Sequence, residues 1–165
     1  MTSQSSKEDI LNRVEKKAGD YLEAGLGNCT QSTVFVLQEE FQLGNVIPLK
    51  ALTAIPGIAL RGETCGAVVG ALLALGMLAS RDKPEGQEDF FEVNRLGLTL
   101  CQALEKEFGS LMCKHIHTKL CGKTYDFTDP AKMIEYVQAG GLKLCRAPVG
   151  KASRFVAEII LGEEA

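Results

Sequence analysis

The stretch GETCGAVVGALLALG, residues 62–76, decides the fold. It is apolar throughout, lacks the alternation of a half-buried strand, and opens on a cysteine flanked by glycines. Glycine costs a helix interior roughly 1 kcal/mol relative to alanine. Gly62, Gly66, Gly70 and Ala74 nevertheless recur at every fourth position, which strips one helix face of side chains. Another helix, a cluster or a ligand can approach the backbone closely along such a face. Gly62, Gly66 and Gly70 are therefore candidate cofactor-binding positions, and tight helix crossing is a compatible reading. Thr64 is placed to cap this helix, with Cys65 at its first position and an end near Leu78. The uncharged run from Cys65 to Ala79 is 15 residues long. That is short of the roughly 20 residues a membrane-spanning helix needs, and a buried core helix is expected instead.

Helical periodicity continues on both sides. Upstream, Ile10, Val14, Ala18 and Leu22 share a face of a first helix near Lys7 to Glu23, which the GLGN breaker at 25–28 stops. Asn28 can cap a second helix to about Phe41, with Val34, Leu37 and Phe41 as its core stripe. Pro48 to Ile55 suits a short helix closed by Pro56-Gly57. Downstream, SRDKPEGQ at 80–87 reads as a polar loop. A long helix from Glu88 to Phe108 then carries Leu96, Leu100, Leu104 and Phe108 on one stripe. Ser110 can cap a helix to about Leu120, Pro130 starts one to about Ala139, and a last begins near Pro148 and runs through Phe155, Ile159 and Ile160. No run alternates as a strand should. The expectation is an all-α, compact single-domain bundle of about six to eight helices. It spans residues 1–165, with the N-terminal helix in 1–24.

The composition narrows the partners. The 165 residues are 45% hydrophobic, enough for one packed core, and carry a net charge of −3. With no basic cluster beyond Lys16-Lys17, neither nucleic acid nor an anionic membrane finds an electrostatic footprint. A redox partner protein, a small thiol or an electron carrier fits better. The opening MTSQSSKEDI does not read as a signal peptide, and no membrane insertion and a cytoplasmic location are expected. The small-residue face permits a homodimer. Six cysteines in a reducing compartment are not a disulfide framework, so they divide among buried hydrophobes, metal ligands and redox thiols.

Cys29, Cys65, Cys113 and Cys145 each fall at or beside an expected helix N-terminus. Free N–H groups and the positive dipole end favour an anion there, which is expected to lower a thiol's pKa and populate the thiolate that ligates metal and attacks disulfides. Burial as small hydrophobes is the alternative. Cys101 follows core spacing with Gly97, Leu104 and Phe108, and Cys121 sits at a helix end. In CKHIHTKLC, residues 113–121, Cys113 and His117 lie on one helix face, as do His117 and Cys121. A continuous helix would part the two cysteines by about 12 Å, too far for one zinc. His115 and His117 read as surface or internally satisfied histidines. VGKAS at 149–153 lacks the upstream glycine of a phosphate loop, and there is neither a CxxC pair nor a CxxCH haem site.

Taken with the upstream GNCTQSTV and the single cysteines in FGSLMCKHI and GLKLCRAPVGKAS, CGAVVG at 65–70 resembles the redox-active proteins named for a C...GCAxxG...C...C pattern. The likeness spans about residues 25–155. The family name writes Gly before Cys, whereas here Cys65 precedes Gly66. The resemblance implies a small helical protein from bacteria or archaea whose family cysteines map onto Cys29, Cys65, Cys113 and Cys145. It also implies similarity to the cysteine-bearing domain of split-Soret cytochromes, where an iron-sulfur centre accompanies haem.

Four functions stay open on these residues. The four thiolates could hold an iron-sulfur cluster for electron transfer. Two of them could cycle as a thiol-disulfide oxidoreductase, which needs Cα atoms within about 7 Å. Four thiolates, or three with His117, could bind structural zinc. A helical interaction module with buried cysteines and no cofactor is the fourth.

Overall fold

A computed structural model of the chain describes residues 6–79 and 87–162. Its helices are α1 (Lys7–Glu23), α2 (Cys29–Glu40), α3 (Gly57–Leu60), α4 (Gly66–Ala79), α5 (Gln87–Phe108), α6 (Cys113–Cys121), α7 (Pro130–Gln138), α8 (Gly141–Leu144) and α9 (Arg146–Leu161), with a 3-10 turn at Leu49–Leu52. Among the described residues no strand forms, and the expected all-α class is the one observed. The loop expected at 80–87 lies outside the described residues except for Gln87, which starts α5.

Capping fixes the first two helices. Asp9 N–H donates to Ser6 Oγ at 3.1 Å while Ser6 N–H donates back to Asp9 Oδ2 at 3.0 Å. Asn28 and Gln31 repeat the reciprocal pair at the head of α2, both bonds at 3.0 Å. The buried face of α1 is Leu11, Val14, Ala18 and Leu22. It is turned slightly from the expected stripe, so that Ile10 is only half-buried.

α1 and α9 pack antiparallel: Arg154 pairs with Glu8 and Glu15, and Arg146 with Asp20 and Glu23. Gly150 lets the backbones close up, since a Cβ there would lie 2.9 Å from the Glu15 carbonyl oxygen. α4 is apolar on every side and occupies the middle of the bundle, with Ala67, Ala71, Ala74 and Leu75 buried against its neighbours. Its glycines explain the crossing with α2. A Cβ on Gly70 would lie 2.9 Å from the Thr30 carbonyl oxygen, and one on Gly66 would strike the Cys29 sulfur. Successive contacts advance along both chains together, so α2 and α4 run parallel with their N-termini at one end.

Several expectations are corrected in detail. Cys65 precedes α4 instead of opening it, and Thr64 forms an antiparallel bridge with Met112. Cys65 N–H donates to Leu111 O at 2.8 Å and Cys113 N–H to Glu63 O at 2.7 Å, a two-stranded clasp that no local pattern announces. α6 starts at Cys113, and Ser110 Oγ instead accepts from Met112 N–H at 3.1 Å. The expected helix at 48–55 reduces to the 3-10 turn, and α9 starts at Arg146, with Pro148 inside a first turn where its missing N–H is not needed. The four-residue α3 and α8 were not expected. In α3, Gly57, Ile58, Ala59 and Leu60 all have positive φ, from 50° to 66°. A left-handed turn costs an L-residue roughly 1–2 kcal/mol, and a β-branched Ile58 there is a genuine outlier.

Candidate functional site

The parallel course of α2 and α4 brings two helix starts together, and the clasp between 62–65 and 111–114 adds a third. The short α8 then delivers a fourth, because it ends at Cys145, which caps α9. Cys29 is the first residue of α2, Cys65 directly precedes α4, and Cys113 opens α6. All four line one cavity of about 220 Å³. Cys101 and Cys121 do not line it and are partly buried elsewhere on α5 and α6.

The walls are apolar. Gly57 and Leu60 of the left-handed segment line the cavity with the preceding Pro56, as do Phe127, Met133 and Tyr136. Gly62, Gly66 and Gly70 do not line the cavity. Gly66 and Gly70 act through the α2–α4 crossing, and Gly62 packs against the Lys114 side chain with φ at 74°. Gly57, not singled out by sequence, lines the cavity beside a second site sulfur: a Cβ on it would lie 3.6 Å from Cys113 Sγ.

His117 corrects the expectation of a surface or satisfied histidine; it is 5% exposed and faces the sulfurs. Its Nε2 lies 3.3 Å from Cys145 Sγ and 3.9 Å from Cys113 Sγ. The ring is stacked on Tyr136 and edge-on to Phe127, while its Nδ1 is buried without a hydrogen-bond partner. The spacing of Cys113 and His117 on one face of α6 was the available signal. His115, by contrast, is exposed and meets Ser110 Oγ at 3.0 Å. Tyr136, unmarked by sequence, lines the same cavity, and its hydroxyl acts against the rise of the Cys145 thiol pKa. Its position in MIEYVQ reads as an ordinary core aromatic.

The expected lowering of the thiol pKa values is overturned. Burial raises all four, and Cys145 is pushed up to about 12 despite the Tyr136 hydroxyl. Cys29 is raised further by the charges that Cys65, Cys113 and Cys145 would carry. Backbone N–H groups act in the other direction, Thr30 on Cys29, and Ala67 and Val68 on Cys65. Helix-start donors are therefore present, but desolvation outweighs them. Burial likewise holds His117 down to about 4, so the imidazole is neutral at pH 7. Among the described residues, no group of three or more His, Cys, Asp or Glu side chains is arranged to hold one metal ion, and no helix is long and apolar enough to cross a membrane.

No curated protein and no solved structure matches the chain. Residues 27–159, which run from just before Cys29 to beyond Cys145, match the family described as "Putative redox-active protein (C_GCAxxG_C_C)". On that match over most of its length, the chain belongs to this redox-active family.

Proposed function

We propose that Cys29, Cys65, Cys113 and Cys145 hold an iron-sulfur cluster through which the protein passes electrons to a redox partner protein or a small electron carrier. The observation that carries this reading is the convergence of four thiols, from four separate helix starts, on one apolar cavity of about 220 Å³. Four thiolates are the usual complement of a [2Fe–2S] or [4Fe–4S] centre, which when bound supplies one-electron chemistry. The donor set fits. It is soft, and all four sulfur-bearing residues line one cavity.

The charge balance points the same way. Four thiolates in an apolar pocket repel one another, and each is desolvated, so without metal the thiols stay neutral. Cationic iron would offset that cost, and the N–H groups of Thr30, Ala67 and Val68 already point at sulfur. The apolar walls lower the local polarity, which sharpens each of these interactions.

A second reading has its own observation: Cys113 and Cys145 both approach the same nitrogen of His117. In a thiol-disulfide oxidoreductase those two thiols would lose two protons and two electrons to a partner disulfide, which leaves as two thiols.

Iron and acid-labile sulfide, measured on protein purified without oxygen and read beside its visible spectrum, test both. We expect stoichiometric iron and sulfide with charge-transfer absorption, lost in Cys65→Ser and kept in Cys101→Ser. Metal-free wild-type protein with two reversibly titrating thiols would replace the cluster with the dithiol reading.

A further inference from the structure

The four sulfurs are not equivalent. Cys29 and Cys65 meet backbone donors only, from Thr30, and from Ala67 and Val68. Cys113 lies at the long limit of His117 Nε2, 3.9 Å away. Cys145 lies 3.3 Å from His117 Nε2, and the Tyr136 hydroxyl acts on it from the same cavity wall. We propose that His117 is a positioning residue of the redox centre: its Nε2–H donates to the Cys145 sulfur and, together with the Tyr136 hydroxyl, stabilises the extra negative charge of the reduced state.

The tautomer follows from the chemistry of sulfur. A metal-bound thiolate has no proton to give, so Nε2 must carry the hydrogen if the 3.3 Å contact is a bond. Nδ1 is then a bare acceptor, and it is one of only two buried side-chain atoms without a partner among the described residues. The aromatic enclosure explains how the ring tolerates this. Tyr136 stacks at 5.3 Å and Phe127 meets it edge-on at 5.0 Å, which fixes the ring plane but offers Nδ1 no donor. The one hydrogen bond the imidazole makes is thus directed at sulfur, in a pocket where low polarity strengthens it. A donor to sulfur favours the more electron-rich state and raises the reduction potential.

This inference rests on the iron-sulfur reading, and the experiment separates the two. The potential of anaerobically purified holoprotein is measured by spectroelectrochemical titration for wild type, His117→Phe and His117→Gln. Losing a bond to a charged sulfur should shift the redox equilibrium by about tenfold, a fall of about 59 mV for a one-electron couple. His117→Gln, which keeps an N–H donor, should recover most of it. An unchanged potential in His117→Phe, or a glutamine variant no better than phenylalanine, overturns the role.

If His117→Phe does not fold, Tyr136→Phe removes the companion donor alone; a smaller fall is expected, and none would overturn the paired-donor arrangement. If wild-type protein holds no iron, the cluster reading falls, but His117 is still read from the rate at which iodoacetamide modifies Cys145, followed by mass spectrometry. Slowing by about tenfold in His117→Phe with recovery in His117→Gln supports the bond, and equal rates in all three overturn it.

Discussion

Along the α1–α9 seam Arg154 meets Glu8, Glu15 and Glu158, and Arg146 meets Asp20 and Glu23. At the sulfur cavity, by contrast, His117 keeps a ring nitrogen without a partner, and Ile58, Ala59 and Leu60 nearby hold left-handed backbone. Both regions rely on glycine for close approach, Gly150 in one and Gly66 in the other. The seam is locally consistent: charge meets opposite charge, and backbone stays in ordinary conformations. The cavity concentrates the rule-breaking features, which is where function is expected to tolerate a cost in stability.

Acid offers the sharpest way to test that contrast. His117 has a folded pKa near 4 against about 6.5 unfolded. Its contribution is fully present above the unfolded value and is lost as pH falls from 6.5 toward 4, because the unfolded chain then binds a proton that the folded chain refuses. Metal-free protein should lose about 3 kcal/mol over that window in urea titrations. The seam responds lower, since Lys16 and Arg146 hold the Asp20 carboxyl below its usual range. A flat profile between pH 6.5 and 4.5 would mean that the cavity does not discriminate against charge.

Next comes Gly66→Ala, whose Cβ would collide with Cys29 Sγ, Thr30 Oγ1 and the Pro56 backbone. It should cost about 2 kcal/mol and lower the iron retained. Gly76→Ala, on the same helix with nothing among the described residues within 4 Å of the added atom, is its control. Equal denaturation midpoints for the two would mean that α4 is packed no more tightly at Gly66 than at Gly76.

The smallest effect belongs to the seam. Arg154→Met should cost about 1 kcal/mol, less at high salt, and leave iron content unchanged. A loss of iron in that variant would show the two regions to be coupled.

Much of the seam was legible in the sequence because its causes are local. The four-residue spacing of Ile10, Val14, Ala18 and Leu22 marks a face, and GLGN at 25–28 marks its end. The same logic placed Cys29, Cys65 and Cys113 in first turns and Cys145 beside one, and only Cys65 moved, to the residue ahead of α4. The cavity's finer chemistry was not legible, since it depends on distant partners. The Thr64–Met112 bridge joins residues 48 apart in number, and no periodicity encodes it. Nor does the spacing of Cys113 and His117 tell whether their shared face meets water or Cys145. The thiol pKa values were misread because the helix dipole is visible in sequence, whereas desolvation exists only after packing.

The clasp between 62–65 and 111–114 has a consequence for how such a chain can change. Cys65 and Cys113 are registered by Cys65 N–H to Leu111 O and Cys113 N–H to Glu63 O, not by the length of polypeptide between them. Side-chain exchanges at Glu63 or Leu111 would therefore leave the sulfur spacing intact, because both bonds run through backbone atoms.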